Sequence, residues 1–434
     1  MRARPWNPQR WRSRFFTIWG GQVFSLLGSG LVQFALVWWL TKTTESGSVL
    51  TTATIAAVLP GVILGPFIGT LIDRFSRRRV MIIADSAIAL STAVLAVLFT
   101  FDVIELWHVY AVILARSVGE AFHFPAMQAS TALMVPERHY ARVAAINQSL
   151  RGLTRIAGPL LGALLLEFLP LHGIIAIDVV TAAIAVIPLL LIAIPNPEPA
   201  SGPRPSYIRD LAEGFRFVLS WPGLLGVVII AALLNFVLAP AGSLLPLLIR
   251  THFGGEAIQF AGVQAAMGIG LVVGGLLMTA WGGFKRRMAT ALLGIVGIGA
   301  AAILLGFTPA SFFSLALGAT LLMGIMQPIA NGSLMAALQA STPPDLQGRL
   351  FSLVGSAAGA MMPIGLALAG PLSDRFGANV WFLIGGVAAI ALGGLAFFIP
   401  SILNLEAQGA ELAAAREAAN GESDTEGVPA PAEL

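Results

Sequence analysis

The chain has 434 residues, of which 57% are apolar and only 11% are charged, and its formal net charge is +3. A water-soluble domain carries about a quarter of its residues as charged side chains, so a soluble globular protein is excluded. The absence of cysteine excludes disulfides and thiolate metal sites. Repeated apolar stretches of about 20 residues, long enough to cross a ~30 Å hydrocarbon layer, predict an all-α polytopic membrane protein.

Twelve apolar windows predict the transmembrane helices in chain order. They run 15–40, 49–72, 79–100, 106–134, 143–168, 173–194, 222–249, 257–281, 288–307, 311–339, 350–372 and 380–400. A basic arm at 1–14 precedes them. We therefore expect a six-helix N-terminal half at 15–194, a six-helix C-terminal half at 222–400 and a cytoplasmic, largely disordered tail at 401–434.

The break at 195–221 differs in composition from the windows on either side. It opens with PNPEPASGPRPS, a Pro-rich stretch that predicts a linker. In the YIRDLAEGFRFVLS that follows, Ile208, Leu211, Phe215 and Val218 recur at helical spacing. The sequence predicts a cytoplasmic linker with an amphipathic helix between the two halves.

The basic residues predict the orientation in the membrane. They cluster on alternate loops and at the termini, at Arg2–Arg14, Arg74–Arg79, Arg138, Arg142, Arg204–Arg216, Lys285–Arg287, Arg349 and Arg416. The opposite side has only Lys42, Arg250 and Arg375. Because cytoplasmic loops carry the excess of Lys and Arg, both termini are expected in the cytoplasm, in a multi-pass protein of the cytoplasmic membrane.

Two landmarks indicate an internal repeat. The pair Pro136 and Arg142 recurs 207 residues later, in the TPPDLQGR segment before window eleven. The basic cluster Arg77–Arg79 after window two recurs as Lys285–Arg287 after window eight, at an offset of 208. Nearly equal offsets predict duplication, and hence two pseudo-symmetric halves around a central pathway.

The loop after window two is the strongest motif. It predicts a conformational latch formed by Gly69, Asp73, Arg74, Arg77 and Arg78. Asp73 can bond to a helix N-terminus or to an arginine across the interface between the halves. The alternative is an ordinary basic cytoplasmic loop. The run resembles the G-x-L-x-D-R-x-G-R-[KR] signature of the major facilitator superfamily, with Ser76 where a glycine is usual.

Further segments are similar to the macrolide-efflux and drug-antiporter branch of that superfamily, over nearly all of residues 12–400. They are FTIWGGQVFSL at 16–26, ARSVGEAFHFP at 115–125, IIAID at 174–178, GRLFSLVGS at 348–356 and MPIGL at 362–366. The resemblance implies the major facilitator fold with twelve transmembrane helices. It also implies proton-driven export of hydrophobic small molecules by alternating access, at the cytoplasmic membrane.

Charged residues inside the apolar windows of the first half are candidates for proton coupling. These candidates are Glu120, Arg116, Asp178 and Asp85. Membrane-embedded charges face a water-filled cavity or one another. Arg116 and Glu120, four residues apart, share a helix face and can form a pair, with coupling or static packing as alternative roles. Asp85 is alternatively a latch or capping residue close to Arg77–Arg79.

The predicted substrate cavity draws on polar and aromatic residues of both halves. Its candidates are Gln22, Gln33, Arg151, Arg155, His123, Phe236, Asn235, Gln327 and Asn331. Packing is the alternative for His123. Arg151 and Arg155 are not part of the family pattern, and they favour an anionic or zwitterionic cargo. Gly158, Pro159 and Gly162 keep part of an antiporter motif and equally predict a helix-packing face.

Other classes of protein lack support in the sequence. There is no phosphate-binding loop, nucleophile–base set or metal-ligand cluster, so no enzyme, cofactor or metal site is predicted, and nothing indicates nucleic acid. Glu167 and Asp374 fall at the external face, where we expect them to be solvated. A monomer that uses protons and a small-molecule substrate is expected. The open alternatives are a drug exporter, an exporter of a self-made metabolite such as a siderophore, and a proton-coupled nutrient symporter.

Overall fold

The structure is a computed structural model that describes residues 10–72, 75–195 and 221–409, together with residues 215, 216, 218 and 219. These residues form twelve long helices. The first six are α1 (Trp11–Thr44), α2 (Gly47–Ile72), α3 (Arg77–Thr100), α4 (Leu106–Met134), α5 (Tyr140–Phe168) and α6 (Leu171–Leu191). The second six are α7 (Pro222–Thr251), α8 (Ala257–Trp281), α9 (Arg287–Phe307), α10 (Phe313–Ser341), α11 (Pro344–Phe376) and α12 (Ala378–Phe397). A single turn, α13 (Pro400–Leu403), follows.

The predicted all-α membrane fold is confirmed, and the helices coincide with the apolar windows to within a few residues. Ten of the helices in the described part are long and apolar enough to cross a membrane. The other two, α4 and α5, have 29 residues each and carry Arg116, Glu120, Arg151 and Arg155 among the embedded charges of the first half. The helices often extend past their windows: α1 begins at Trp11 and α11 at Pro344. Helical hydrogen bonding continues beyond the apolar stretch, which marks only the hydrocarbon-spanning part.

The two halves are related by pseudo-symmetry in their helix packing. In the first half, α1 packs on α5 and α6, α2 on α4, and α3 on α4 and α6. In the second half, α7 packs on α11 and α12, α8 on α10, and α9 on α10 and α12. Adding six to each helix number in the contacts of the first half gives the contacts of the second half. Between the halves, α2 packs on α11 and α5 on α8, and the same shift exchanges these two contacts.

Small residues allow the closest helix crossings. Gly270 on α8 faces α10 so tightly that a Cβ atom there would lie 2.9 Å from Cα of Gly324. Gly299 on α9 faces α12, where an added Cβ would lie 2.7 Å from the carbonyl oxygen of Gly386. Lipid tails give little hydrophobic force between helices, so such close backbone packing holds the helices of the second half together.

The linker and tail are described only in part. Ile208 and Leu211 of the predicted amphipathic helix lie outside the described residues. Val218 is buried against the second half beside Trp221, whose indole N–H donates to Oε1 of Gln408 at 2.8 Å. The predicted tail therefore begins with residues that pack on the second half, because Leu405 is apolar and fully buried there.

Candidate functional site

A cavity of about 660 Å³ lies between the two halves. Helices α1, α2, α4 and α5 of the first half and α7 and α8 of the second half line it. Its polar lining residues are Ser29, Gln33, Thr54, Glu120, Arg151, Thr154, Arg155, Ser243 and Gln264. We call it the central cavity. Its size falls within the range of roughly 300–1,000 Å³ that is usual for small-molecule sites.

A second cavity of about 420 Å³ lies within the first half. It shares Ser29 and Glu120 with the central cavity, and Gln22, Asp85 and His123 add to its polar lining. The carboxylate of Glu120 is therefore placed where the two cavities adjoin.

The most buried charges of the site form an ion pair between α4 and α6. Nη1 of Arg116 lies 2.5 Å from Oδ2 of Asp178, and the two side chains are only 7% and 1% exposed. Ser29 on α1 donates to Oδ1 of Asp178 at 3.1 Å, and Arg116 also donates to the hydroxyl of Thr92 on α3. Glu120, which the sequence offers as a possible partner of Arg116, forms no ion pair with it in the described part of the chain. A shared helix face permits that pair, but Asp178 together with Thr92 satisfies the guanidinium in a buried position.

The close approach of α1 to α6 brings Ser29 within reach of Asp178. Gly28 makes this approach possible, because an added Cβ would overlap the hydroxyl of Thr181 and lie 3.1 Å from Oδ1 of Asp178. A side chain at this position would push the two helices apart. The pair thus depends on a glycine one residue before the serine that bonds to it.

Asp85 belongs to a second polar cluster, on the smaller cavity. It is only 5% exposed, and it accepts a hydrogen bond from Nε2 of Gln22 at 3.0 Å. Nε2 of His123 lies 3.3 Å from its other oxygen. The polar partners of Asp85 are therefore Gln22 and His123. From its sequence position, Asp85 is expected close to the basic loop at Arg77–Arg79. His123 accordingly faces a carboxylate, in addition to packing.

Three charged side chains line the central cavity without a hydrogen-bond or ion-pair partner in the described part of the chain: Glu120, Arg151 and Arg155. Within the described residues, the carboxylate of Glu120 has no hydrogen-bond or ion-pair partner. The guanidinium of Arg151 lies over the ring of Phe124, with its Cζ atom 4.1 Å from the ring centroid. Arg155, four residues further along α5, makes no hydrogen bond or ion pair within the same part of the chain. The arrangement can bind an ionic group or exchange a proton with water in the cavity.

At the end of the molecule away from the chain termini, Asp374 joins the two halves. This residue, in the last turn of α11, accepts hydrogen bonds from the backbone N–H of Gly47 at 2.5 Å and of Ser48 at 3.1 Å. It also accepts one from the hydroxyl of Ser46 at 3.1 Å. Asp374 is exposed, as expected. It also accepts bonds from N–H groups in the first turn of α2, which have no acceptor within their own helix.

Arg250 forms the second connection at this end. Its Nε lies 3.2 Å from Oε1 of Glu45 in the first half, and its Nη1 lies 2.6 Å from Oε1 of Glu256 in the second half. Lys42 lies 3.9 Å from the other oxygen of Glu256. We call the contacts made by Asp374 and by Arg250 the far-end gate.

Aromatic stacking lies beneath the far-end gate. Phe34 on α1 stacks on Phe260 on α8, with ring centroids 5.2 Å apart and an interplanar angle of 15°. Trp38 stacks on the same ring at 5.9 Å. Deeper still, Ser243 donates to the hydroxyl of Thr54 at 2.9 Å. Contacts between the halves thus continue from the far end down to the central cavity, which Phe34 and Phe260 both line.

The family of the chain follows from its sequence relatives. A family model described as Major Facilitator Superfamily matches residues 18–366. The chain belongs to the major facilitator superfamily. Macrolide efflux protein A of Streptococcus pyogenes is 35% identical over 383 residues, which cover 88% of this chain and 95% of that protein. Multidrug efflux pump Tap of Mycolicibacterium fortuitum is 28% identical over 397 residues, covering 87% and 94%.

Solved structures agree with this membership at the level of the fold. The crystal structure of the nucleoside transporter NupG superposes with a TM-score of 0.69, at 13% identity, over 87% of this chain and 98% of that one. The resemblance to the macrolide-efflux and drug-antiporter branch of the major facilitator superfamily, expected from the sequence motifs, is confirmed by the two efflux relatives.

The superfamily signature after α2 is described only in part. Asp73 and Arg74 lie outside the described residues, and so do the surroundings of Gly69. Arg78 donates to the carbonyl oxygens of Leu189 at 2.5 Å and Leu190 at 2.8 Å, at the end of α6. Arg77 donates to the carbonyl of Ala129 on α4 at 3.1 Å. These contacts join helices of the first half, and a latch across the halves stays a prediction.

The glycine motif of α5 packs against α1. An added Cβ at Gly162 would lie 2.9 Å from the ring of Phe34, and one at Gly158 would lie 3.7 Å from the backbone of Gly30. Pro159, between them, lines the central cavity. The glycine motif therefore brings α5, which lines the cavity, close to the stacked rings of Phe34 and Phe260.

The second half contributes other residues than those predicted from its sequence. Asn235, Phe236, Gln327 and Asn331 line neither cavity. Nδ2 of Asn235 donates to the carbonyl of Ala231 on its own helix at 3.0 Å. Ser243, Phe260 and Gln264 line the central cavity instead. Gln264, an amide in an apolar window, carries the same sequence signal as Asn235, Gln327 and Asn331, and only the packing separates them. In the described part of the chain, no group of three His, Asp or Glu residues could hold a metal ion.

Proposed function

We propose that this chain is a monomeric secondary transporter of the cytoplasmic membrane that exports hydrophobic small molecules, of the macrolide or drug type, in exchange for protons. The observation that carries the proposal is an unpaired carboxylate, Glu120, in a cavity bounded by both halves of a major facilitator fold. The names of the efflux relatives, one of them 35% identical, support the direction and the class of cargo.

Proton coupling is assigned to Glu120 because it is free to change its protonation state. A carboxyl group holds a proton more readily in dry surroundings and releases it more readily beside a cation. Arg151 and Arg155 line the same cavity from the same half, and the second half covers that cavity, so movement of the halves that changes the access of water to Glu120 would load or release its proton. Cargo and proton would then compete for one site.

The neighbouring buried groups are assigned a supporting role. Arg116 and Asp178 form a satisfied pair that holds α4, which carries Glu120, against α6. Asp85 and His123 line the smaller cavity that reaches Glu120, and they offer protonatable groups along that route. Either cluster could pass a proton toward Glu120 without contacting the cargo.

Alternating access requires the far-end gate to open. Its contacts join the first half to the second at the end away from the termini. With both termini in the cytoplasm, as the arginine distribution predicts, this end faces outward. The proposed cycle opens the far-end gate for release of cargo and closes a latch at Asp73 on the cytoplasmic side.

The test is uphill transport by the purified full chain in proteoliposomes with an imposed pH gradient. Radiolabelled erythromycin serves as the macrolide. We expect accumulation driven by the gradient, and we expect Glu120→Gln to abolish it while downhill movement continues. Glu167→Gln, at the exposed end of α5, is the matched control and should transport normally.

Two results would overturn the proposal. Gradient-driven accumulation by Glu120→Gln at the normal rate would remove the coupling role of Glu120. Accumulation of substrate inside right-side-out energised vesicles would indicate a symporter that imports its substrate.

A further inference from the structure

Two arginines of the central cavity lie at the middle depth of a membrane helix. Arg151 and Arg155 are 11 and 15 residues beyond Tyr140, the first residue of the 29-residue α5. At 1.5 Å per residue, this places them roughly 16 and 22 Å along a helix of about 44 Å. An arginine near the centre of a span is costly in lipid, and such residues face protein or water. The central cavity provides that surrounding here.

The charges around the cavity do not balance. Arg116 is matched by Asp178, and Asp85 and His123 line the smaller cavity and not the central one. Glu120, Arg151 and Arg155 remain, so the cavity carries an excess of one positive charge when Glu120 is ionised. Protonation of Glu120 raises the excess to two. A bound group with a single negative charge would restore the balance while Glu120 is ionised.

The donors of these two arginines are free to bind such a group. Within the described residues, no acceptor binds the guanidinium N–H groups of Arg151 or Arg155. Arg151 is restrained by its ring contact with Phe124, which occupies the flat face of the guanidinium and none of its N–H groups. Because they are four residues apart on one helix, the two guanidinium groups share a face and can converge on one ligand.

Another part of the cavity lining is apolar and aromatic. Phe34 and Phe260, one from each half, present a stacked pair to the same space that holds the arginines. We infer that, among amphiphiles with a planar body, the central cavity prefers those that carry a carboxylate, which Arg151 and Arg155 bind. The inference rests on the proposed function, because it assigns the cargo of the same cavity. A carboxylate matches the planar fork of a guanidinium, which binds it through two parallel hydrogen bonds.

A matched pair of dyes tests this inference by binding alone. Rhodamine 110 carries a free carboxylate beside its planar cationic xanthylium ring, and rhodamine 123 is its methyl ester, so the two dyes differ by that one negative charge. Fluorescence anisotropy measures their Kd values for the purified full chain in nanodiscs of neutral phosphatidylcholine. We expect the free acid to bind about tenfold more tightly than the ester, the scale of one charge-assisted hydrogen bond.

Variants of the two arginines give the decisive comparison. Arg151→Gln and Arg155→Gln should each raise the Kd of rhodamine 110 about tenfold without raising that of rhodamine 123. Arg155→Glu should reverse the order, so that the ester binds more tightly. Arg142→Gln, in the first turn of the same helix and outside the cavity lining, is the control and should leave both values unchanged.

Three results would overturn the inference. They are equal affinity of the normal protein for both dyes, an equal loss of both dyes in the arginine variants, and an unchanged order in Arg155→Glu. Because binding needs no proton gradient, these results are separable from the erythromycin experiment. A protein that selects rhodamine 110 through its arginines but fails to pump erythromycin retains this cargo preference and loses only the proposed function.

Discussion

Arg116 and Asp178 show why a single side chain can govern the stability of the site. Both are nearly fully buried, and together with Ser29 and Thr92 they satisfy one another's polar groups. Removing two charges from water costs several kcal/mol per ion, and only the paired geometry offsets that cost. Loss of either partner leaves the other charge uncompensated.

We expect Asp178→Asn to lower the free energy of unfolding by about 3–5 kcal/mol, because Arg116 would stay buried without its counter-charge. Thermal unfolding in detergent, followed by the fluorescence of the nine tryptophans, measures the effect. The double variant Arg116→Leu with Asp178→Leu should recover much of the loss. A single variant as stable as the normal protein would contradict the buried pair.

At this scale the sequence identifies the charged residues of the site but not their partners. Helix spacing shows that Arg116 and Glu120 share a face, and it carries no information about α6, which supplies Asp178. Asp374 is similar: its position at a helix end indicates exposure, while its bonds to the start of α2 depend on a residue 327 positions away. Partners between distant elements are set by packing, which spacing within one helix cannot report.

Whole helices were predictable because the bilayer imposes a length and a composition on each one. The ends of the helices were less predictable: Arg12 and Arg14 are helical in α1 although they are charged. The crossings depend on finer detail, such as the glycine at 162 that accommodates Phe34. From the sequence alone, a glycine at position 162 fits either helix packing or the antiporter motif. Its contact with α1 makes the packing role directly testable.

We expect Gly162→Val to destabilise the protein by about 1–3 kcal/mol, because its side chain would be forced against the ring of Phe34. Gly152→Ala on the same helix is the control. An added Cβ meets nothing within 4 Å there, so its helix propensity should leave stability unchanged or raise it by up to about 1 kcal/mol. Thermal unfolding of both variants decides the matter, and equal melting temperatures would contradict tight packing of α1 on α5.

At the scale of the whole molecule, the sequence repeat predicts the two halves correctly. The offsets of 207 and 208 residues correspond to the six-helix shift that relates the packing of the halves. The repeat does not determine which end of the molecule is closed. The six-helix shift exchanges the contact of α2 with α11 for the contact of α5 with α8, so the repeat treats the two contacts alike. That choice depends on the contacts that particular side chains make between the halves, such as those of Asp374 and Arg250.

We expect Asp374→Ala to favour opening of the far-end gate. Loss of a helix N-cap costs about 1 kcal/mol, which would shift the ratio of closed to open molecules about fivefold. Because the chain has no cysteine, spin labels at Leu106→Cys and Phe312→Cys can report the distance between the far ends of the two halves. Asp102→Asn, an exposed aspartate at the same end, is the control. A distance distribution unchanged by Asp374→Ala would contradict a role in closure.

The exposure of the gate's ion pairs has a consequence for the habitat in which the protein can work. Glu45 and Glu256 are each more than half exposed, so added salt screens their attraction to Arg250. The stacked rings of Phe34, Phe260 and Trp38 are buried beneath them, where dissolved ions do not reach. Closure should therefore persist at high salt concentration, and the far end should stay sealed against leakage when the salinity changes.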